Sequence, residues 1–322
     1  MSPDRPQLDR PQLGRPRIVV AGSVNMDLVV RSARLPRPGE TIFGRQMQEL
    51  PGGKGANQAV AAARLEADVS MIARVGDDNF GQRLRAELQK EGIDVSRVAV
   101  TPQCASGLAI VAVEDSGENA ITVIPGANGR LTTDDVRAAS DLIRDADVLL
   151  LQLEVPLETV LTAIELARQH QTLVILDPAP APASFPANLL SVDVACPNQT
   201  EAAALAGVAI TNLDDAKRAA LRLRELGTRY VVITLGCQGA LVCGPDGKCQ
   251  QIPSFAVEAV DTTAAGDAFA AGLAVSLAQG RTMSDAVQYA CAAGALAASR
   301  PGAQPAMPTA ADVARLVRSL YP

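Results

Sequence analysis

Apolar positions in this chain fall into short runs and helix-spaced stripes that alternate along its length, and the polar residues that interrupt them gather at the joints. The run RIVVA at residues 17–21 predicts a buried strand that stops at Gly22, and a second apolar run follows at 28–30. Residues 41–50 have the mixed pattern of an exposed strand, after a loop marked by the prolines and glycine of LPRPGET. A helix to about residue 65, a strand at 69–75 and a helix at 79–91 come next, and 107–113 with 120–124 read as a hairpin about EDSGEN. A helix at 132–146 opens on the capping signal TTDD, followed by strand 148–153, a helix to about 169, and strands 173–176 and 192–195. The last third repeats the scheme: helix 213–226, strand 229–234, a hairpin over 240–252 about GPDGK, then helices at 284–299 and 310–320 around the loop RPGAQPAMP.

Strand–helix alternation on this scale implies an α/β fold, a doubly wound, mainly parallel sheet flanked by helices. The segments that break the alternation, 28–50 and 107–124, are antiparallel in character and read as a small β-sheet lid. Residues 18–322 form one domain on this reading. Ahead of it, residues 1–17 repeat DRPQL and carry four Arg against two Asp with no apolar core, the composition of a disordered tail and neither a signal peptide nor a membrane span.

Composition narrows the class. In 322 residues, 48% are hydrophobic, 20% charged and only 2% aromatic, so the chain is an ordinary globular protein whose core is built from Ala, Leu, Val and Ile. The formal net charge of −6 offers no basic face for nucleic acid or an acidic membrane, and no stretch approaches the ~18 apolar residues of a transmembrane helix. Any phosphate must be held by local devices. Six cysteines without a C-x-x-C pair, and a single histidine, His170, are expected to be reduced thiols in a cytoplasmic enzyme and argue against zinc and Ser-His catalysis.

The stretch VDTTAAGDAFAAG, residues 260–272, combines two carboxylates, small residues and a helix start. Ala264, Ala265 and Gly266 let a backbone approach a ligand closely, and free N–H groups at a helix N-terminus favour an anion. Asp267 reads either as a helix cap or as a base that takes a proton from a hydroxyl attacking phosphorus; Asp261 six residues earlier and the Gly-Asp pair at the helix mouth favour the base. Asn25 and Asp27 at the exit of the first strand suit hydroxyl recognition and equally an Asx-type turn. In PGGKGANQ, the glycines lead into a helix whose first turn carries Lys54 and Asn57 on one side; Gly55 follows Lys54 where a P-loop needs Ser or Thr. Glu154 at a strand's C-terminal end stands where open α/β sheets place ligands, whereas Asn198 and Glu201, three apart, read first as a cap with its supporting Glu. Residues 300–306 are too rich in Pro and Gly for a helix, leaving their carbonyls free to turn inward.

GSVNMD, GGKGANQAVAA, LQLEVP, PNQTEA, TLGCQGA, VDTTAAGDAF and GAQPAMP, in this order over residues 17–320, resemble the ribokinase family of carbohydrate kinases. The resemblance implies ATP-dependent phosphorylation of D-ribose at O5, with Asn25, Asp27, Gly53, Lys54, Asn57 and Glu154 holding the sugar and Asp267 as base. It implies a nucleotide site at Asn198, Thr234, Leu235, Gly236, Cys237, Gln238, Gly239, Gly266 and Asp267, with Cys291 at a position near the adenine that is often His or Asn. Glu201 would organise Mg2+ through water. K+ would bind through the positions of Asp261, Thr263, Ala297, Arg300, Gly302 and Ala306, where Ala306 replaces a usual serine. The family also pairs its lids, so a homodimer is implied. A sibling kinase for 2-deoxyribose, another sugar or a nucleoside, and a sugar sensor without catalysis, are the alternatives; the sensor is disfavoured because base and anion hole are both present. A dinucleotide oxidoreductase is disfavoured by GSVNMD in place of G-x-G-x-x-G.

Overall fold

In a computed structural model, which describes residues 14–116 and 118–319, thirteen strands form two sheets. The strands are β1 (Arg17–Ala21), β2 (Asn25–Ser32), β3 (Gly44–Gly52), β4 (Asp68–Gly76), β5 (Asp94–Thr101), β6 (Gly107–Glu114) and β7 (Asn119–Ile124). They continue with β8 (Val148–Leu151), β9 (Leu173–Leu176), β10 (Val194–Ala195), β11 (Tyr230–Thr234), β12 (Ala240–Cys243) and β13 (Cys249–Ile252). The large sheet has the order β13-β12-β11-β10-β9-β8-β1-β4-β5, parallel from β11 to β5 and closed at one edge by the antiparallel β12 and β13. The chain leaves β1 first toward β4 and later returns to β8 on its other side, so the topological switch, where such sheets bind ligands, lies at β1.

Helices cover both faces: α1 (Lys54–Arg64), α2 (Asn79–Lys90), α3 (Thr133–Ala138), α4 (Ser140–Asp145), α5 (Leu157–His170), α6 (Gln199–Ala206), α7 (Leu213–Glu225), α8 (Ala265–Ala278), α9 (Met283–Ala298) and α10 (Ala310–Arg318). The period-2 alternation of β1 divides the core. Ile18 and Val20 join the cluster under α1, α2, α8 and α9, while Val19 and Ala21 join the one under α3 to α7. Helix α8 is buried along its length from Asp267 to Ala278 and packs directly on α9, where a side chain at Gly272 would come within 3.2 Å of the Ala290 backbone. Small residues at this contact explain how so few aromatics suffice.

The small sheet, β3-β2-β6-β7, occupies the two segments that break the alternation. It is not antiparallel throughout, because β2 and β6 run parallel in its centre. It also begins earlier than residue 28, so that Asn25 and Asp27 are part of it.

Four other expectations are revised. The helix at 132–146 is two helices meeting at Ala139, whose N–H bonds back only to Val136 in a tight turn. Strand β5 is not visible as a period-2 pattern, because its register against β4 shifts between Ser70 and Ile72 and spaces buried Val95 and Val98 three apart. Cys243 and Cys249, facing each other across β12 and β13 with 4.1 Å between Cα atoms, form a disulfide, so not every cysteine is a free thiol. The predicted tail lies outside the described residues up to 13, but Arg17 opens β1 and the Pro16 carbonyl accepts the Asp68 N–H. Among the described residues no helix is long and apolar enough to cross a membrane.

Candidate active site

The C-terminal ends of β1, β8, β9 and β10 and the first turns of α1, α6 and α8 meet in one cleft. At its floor, Gly53 caps α1 with φ 89°, and a Cβ there would lie 2.7 Å from the Asn25 nitrogen. At Gly52 a Cβ would lie 2.1 Å from Oδ2 of Asp27. Glycine at both positions lets the turn pass against the strand that carries Asn25 and Asp27.

Ser23 Oγ donates to Glu154 Oε2 at 2.5 Å, and the Lys54 N–H donates to the same oxygen at 3.2 Å. Glu154 therefore ties the β1 exit to the start of α1. Asn128, outside the predicted set, accepts from the Val24 N–H at 2.9 Å and donates to Asn25 Oδ1 at 2.7 Å.

Asp267 does not cap its helix; Ala264 holds that position, and Asp267 is the third residue of α8. Its carboxylate is 4% exposed and accepts from Asn57 Nδ2 at 2.9 Å and Gln58 Nε2 at 3.1 Å. Burial raises its proton affinity, against the pull of Lys54, Asn57 and Gln58 and with a further push from Glu154. Burial disfavours the charge on Lys54, but the carboxylates of Asp267, Asp177, Glu154 and Glu201 outweigh it and hold the ammonium protonated. Asp27 is pushed up to about 7 by burial and by the charges of Glu154 and Asp267. In the first turn of α8 the Ala265 N–H is already given to Thr262 O, which takes it out of the expected anion hole at 264–267, and no side chain caps this helix end. A Cβ at Gly266 would meet nothing within 4 Å, which places that residue on open space.

That space is a cavity of about 710 Å³ whose walls include Asn198, Thr234, Gly236, Cys237, Gly239, Ala265, Gly266 and Cys291. Phe255, Val257 and Phe269 give it an apolar flank that the sequence did not mark. Leu235 and Gln238 are not on its wall; Leu235 is buried, and both border a neighbouring groove of about 880 Å³. Asn198 and Glu201 form a reciprocal capping box at α6, as their spacing predicts. The Glu201 oxygen Oε2 accepts the Asn198 N–H.

Asp261 is a junction. Its Oδ1 accepts from the Thr263 N–H at 3.0 Å and its Oδ2 from the Gly302 N–H at 2.9 Å; burial of the carboxyl is outweighed by these bonds and it stays below the ordinary carboxylate range. The Arg300 side chain turns away to Asp312, and the Ala297 carbonyl accepts the Arg300 N–H. Residues Gln304–Ala306 form one 3-10 turn, contrary to the expected irregular loop, with Ala306 buried. Arg64 of α1 donates to the carbonyls of Gln304 and Met307, so those two do not turn inward to a ligand.

Sequence reasoning missed Ser23, Gln58, Asn128, Gln152 and Asp177. Asp177 had a usable signal, being a carboxylate at a strand's C-terminal end like Glu154; Gln58 and Gln152 had none, since only tertiary contact separates a functional amide from a surface one.

The profile of the pfkB family carbohydrate kinases matches residues 15–310. The chain is 39% identical to the ribokinase of Haemophilus influenzae over 91% of its own length and 95% of the relative's. It is 36% identical to the deoxyribokinase of Salmonella typhi over 91% and 95%. Its fold is similar to that of Arabidopsis thaliana ribokinase complexed with ribose and ATP, with a TM-score of 0.87 at 31% identity, covering 95% of this chain and 99% of that one.

Proposed function

The chain belongs to the pfkB family of carbohydrate kinases, and from that premise we propose that it transfers the γ-phosphoryl group of ATP to O5 of D-ribose. The observation that carries this is the position of Asp267: a buried carboxylate at an uncapped helix start, bonded on one side to Asn57 in the polar cleft and followed back along the chain by Gly266 on the wall of the nucleotide-sized cavity. A sugar hydroxyl in the cleft gives its proton to Asp267 as the oxygen attacks phosphorus, and the N–H groups of Gly266 and Asp267 with the α8 dipole stabilise the charge on the transferring group. Lys54, kept charged by the acidic side chains around it, puts a cation in the cleft. Asn25, Asp27, Asn57 and Glu154 offer amide and carboxylate groups to the ring hydroxyls, and the apolar flank of the cavity suits an adenine.

One Glu201 oxygen remains outside its capping bond, which fits a water-mediated hold on Mg2+; the ion neutralises phosphate charge when bound. Asp261 stays ionised and is tied to Gly302, and its carboxylate with carbonyls at the expected positions Thr263, Ala297, Arg300, Gly302 and Ala306 would be the oxygen donors a large, weakly hydrated K+ accepts. The small sheet acts as a lid that excludes water, and its exposed apolar residues Met47, Ile110, Ile121 and Val123, with Phe43 just ahead of β3 at 97% exposure, support pairing with a second copy. The nucleotide substrate supports a cytoplasmic setting.

The likeness to deoxyribokinase favours 2-deoxyribose as the second reading. ADP release measured over pentoses, 2-deoxyribose, hexoses and nucleosides separates the two: D-ribose is expected to give the highest kcat/KM, and a higher value for 2-deoxyribose would replace the assignment.

A further inference from the structure

We propose that Gln58 and Asp177 position the base: the side-chain amide of Gln58 bridges Asp267 to Asp177, and the charge state of Asp177 sets how the carboxylate pair shares Lys54. The inference rests on Asp267 being the base. Gln58 is fully buried at the start of the second turn of α1, and its Nε2 donates to Asp267 Oδ1 at 3.1 Å and to Asp177 Oδ2 at 2.8 Å. Its Oε1 accepts from Gln152 Nε2 at 2.5 Å. An amide has two N–H groups and one oxygen, and here all three are engaged; turned over, it would set its oxygen against the Asp267 carboxylate and its N–H groups against those of Gln152. The orientation is therefore fixed. Asn57 takes the other oxygen of Asp267, so neighbouring residues of α1 clamp both oxygens of the base.

Gln152 is tied through its amide nitrogen alone. Its own Oε1 is buried with no hydrogen-bond partner among the described residues and faces Gly22, where a Cβ would stand 1.9 Å away. The string from Gln152 through Gln58 to the two carboxylates has one direction of donation.

Asp177 ends β9 and is 7% exposed. Facing it are Lys54 from α1, Asp267 from α8, Glu201 from α6 and the thiol of Cys196 beyond β10. Burial raises its carboxyl to about 8, with Lys54 and the Gln58 bond lowering it and Asp267 and Glu201 raising it. Neutral at pH 7, Asp177 leaves the Lys54 charge to Asp267. Once ionised, it places a second negative charge on the same amide, competes for Lys54 and repels incoming phosphate.

The test is the pH–rate profile with D-ribose and ATP for the native enzyme and for Asp177→Asn, Gln58→Met and Asp267→Asn. The native profile is expected to fall above about 8, and Asp177→Asn, which can still accept the Gln58 bond, to lose that fall. Gln58→Met is expected to lower kcat by about 10²-fold with little change in KM for ribose, and to move the acidic limb upward because the base loses a donor to its charged form. An alkaline limb unchanged in Asp177→Asn overturns the proposal, and decides it even where Gln58→Met does not fold. Full turnover in Asp267→Asn would remove the base assignment and the bridge with it, whereas an inactive Asp267→Asn beside an unaltered Asp177→Asn profile would remove the bridge alone.

Discussion

At Asp267, burial, two amide donors and a nearby ammonium act on one carboxylate, and what they set is proton affinity in a place where no water competes. Asp267→Asn keeps the shape of the side chain but cannot take the proton and turns one N–H group toward an amide donor, so turnover is expected to fall by about 10² to 10⁴ while ribose and ATP still bind; calorimetric titration of the variant checks the binding half. Asp27 is a different kind of residue. Its carboxyl sits against Gly52 on the small sheet, away from the nucleotide cavity, so Asp27→Ala should raise KM for ribose by about 10- to 10²-fold and leave KM for ATP nearly unchanged. A matching rise in both would make Asp27 a structural residue. These two carboxylates could be picked out from the sequence because Asp267 follows Gly266 at a helix start and Asp27 follows the exit of the first apolar strand. Gln58 and Gln152 could not, because their partners lie far away in sequence and an amide in an Ala-rich helix looks like any solvated side chain.

Among the elements, the sequence placed most helices and parallel strands, since their apolar periods are regular and their caps conventional: Thr132 and Asn198 each form the capping box their spacing predicts. It failed where local geometry departs from the period, at the register shift that hides β5 and at the Ala139 break. It also misjudged the segment after α9. That segment is held by Asp261 through Gly302 and by Arg64 through Gln304 and Met307, and so is tied both to the loop before α8 and to the far end of α1. A cation bound beside Asp261 would act on the anion hole through this tie and not by touching substrate. K+ is therefore expected to activate more than Na+, and Ala306→Ser, which restores a hydroxyl on the 3-10 turn, to lower the K+ concentration needed for half-activation. Activity independent of K+ in potassium-free buffer would contradict this, and an unchanged half-activation point would show that the side chain at 306 does not face the ion.

On the scale of the whole molecule, the small sheet carries Asn25 and Asp27 to the cleft at the end of the large sheet, so on the proposed function a movement of the small sheet over the sugar would bring these two residues with it. The strand register puts Leu28 and Val30 on the face opposite Asp27, paired with Ile110 and Met47, both exposed. If that face pairs with a second copy, Met47→Asp combined with Ile110→Asp should convert a dimer to a monomer in analytical ultracentrifugation; a native protein that sediments as a monomer would contradict the pairing.

The central claim is that O5 of D-ribose receives the γ-phosphoryl group of ATP with Asp267 as base. It is tested most directly by incubating the purified enzyme with D-ribose, ATP and Mg2+ and recording a proton–phosphorus correlation spectrum of the product. The account predicts a single new phosphate monoester coupled to the two C5 protons of ribose, formed by the native enzyme and not by Asp267→Asn. Coupling to any other ribose proton, or release of inorganic phosphate without a sugar ester, would contradict it.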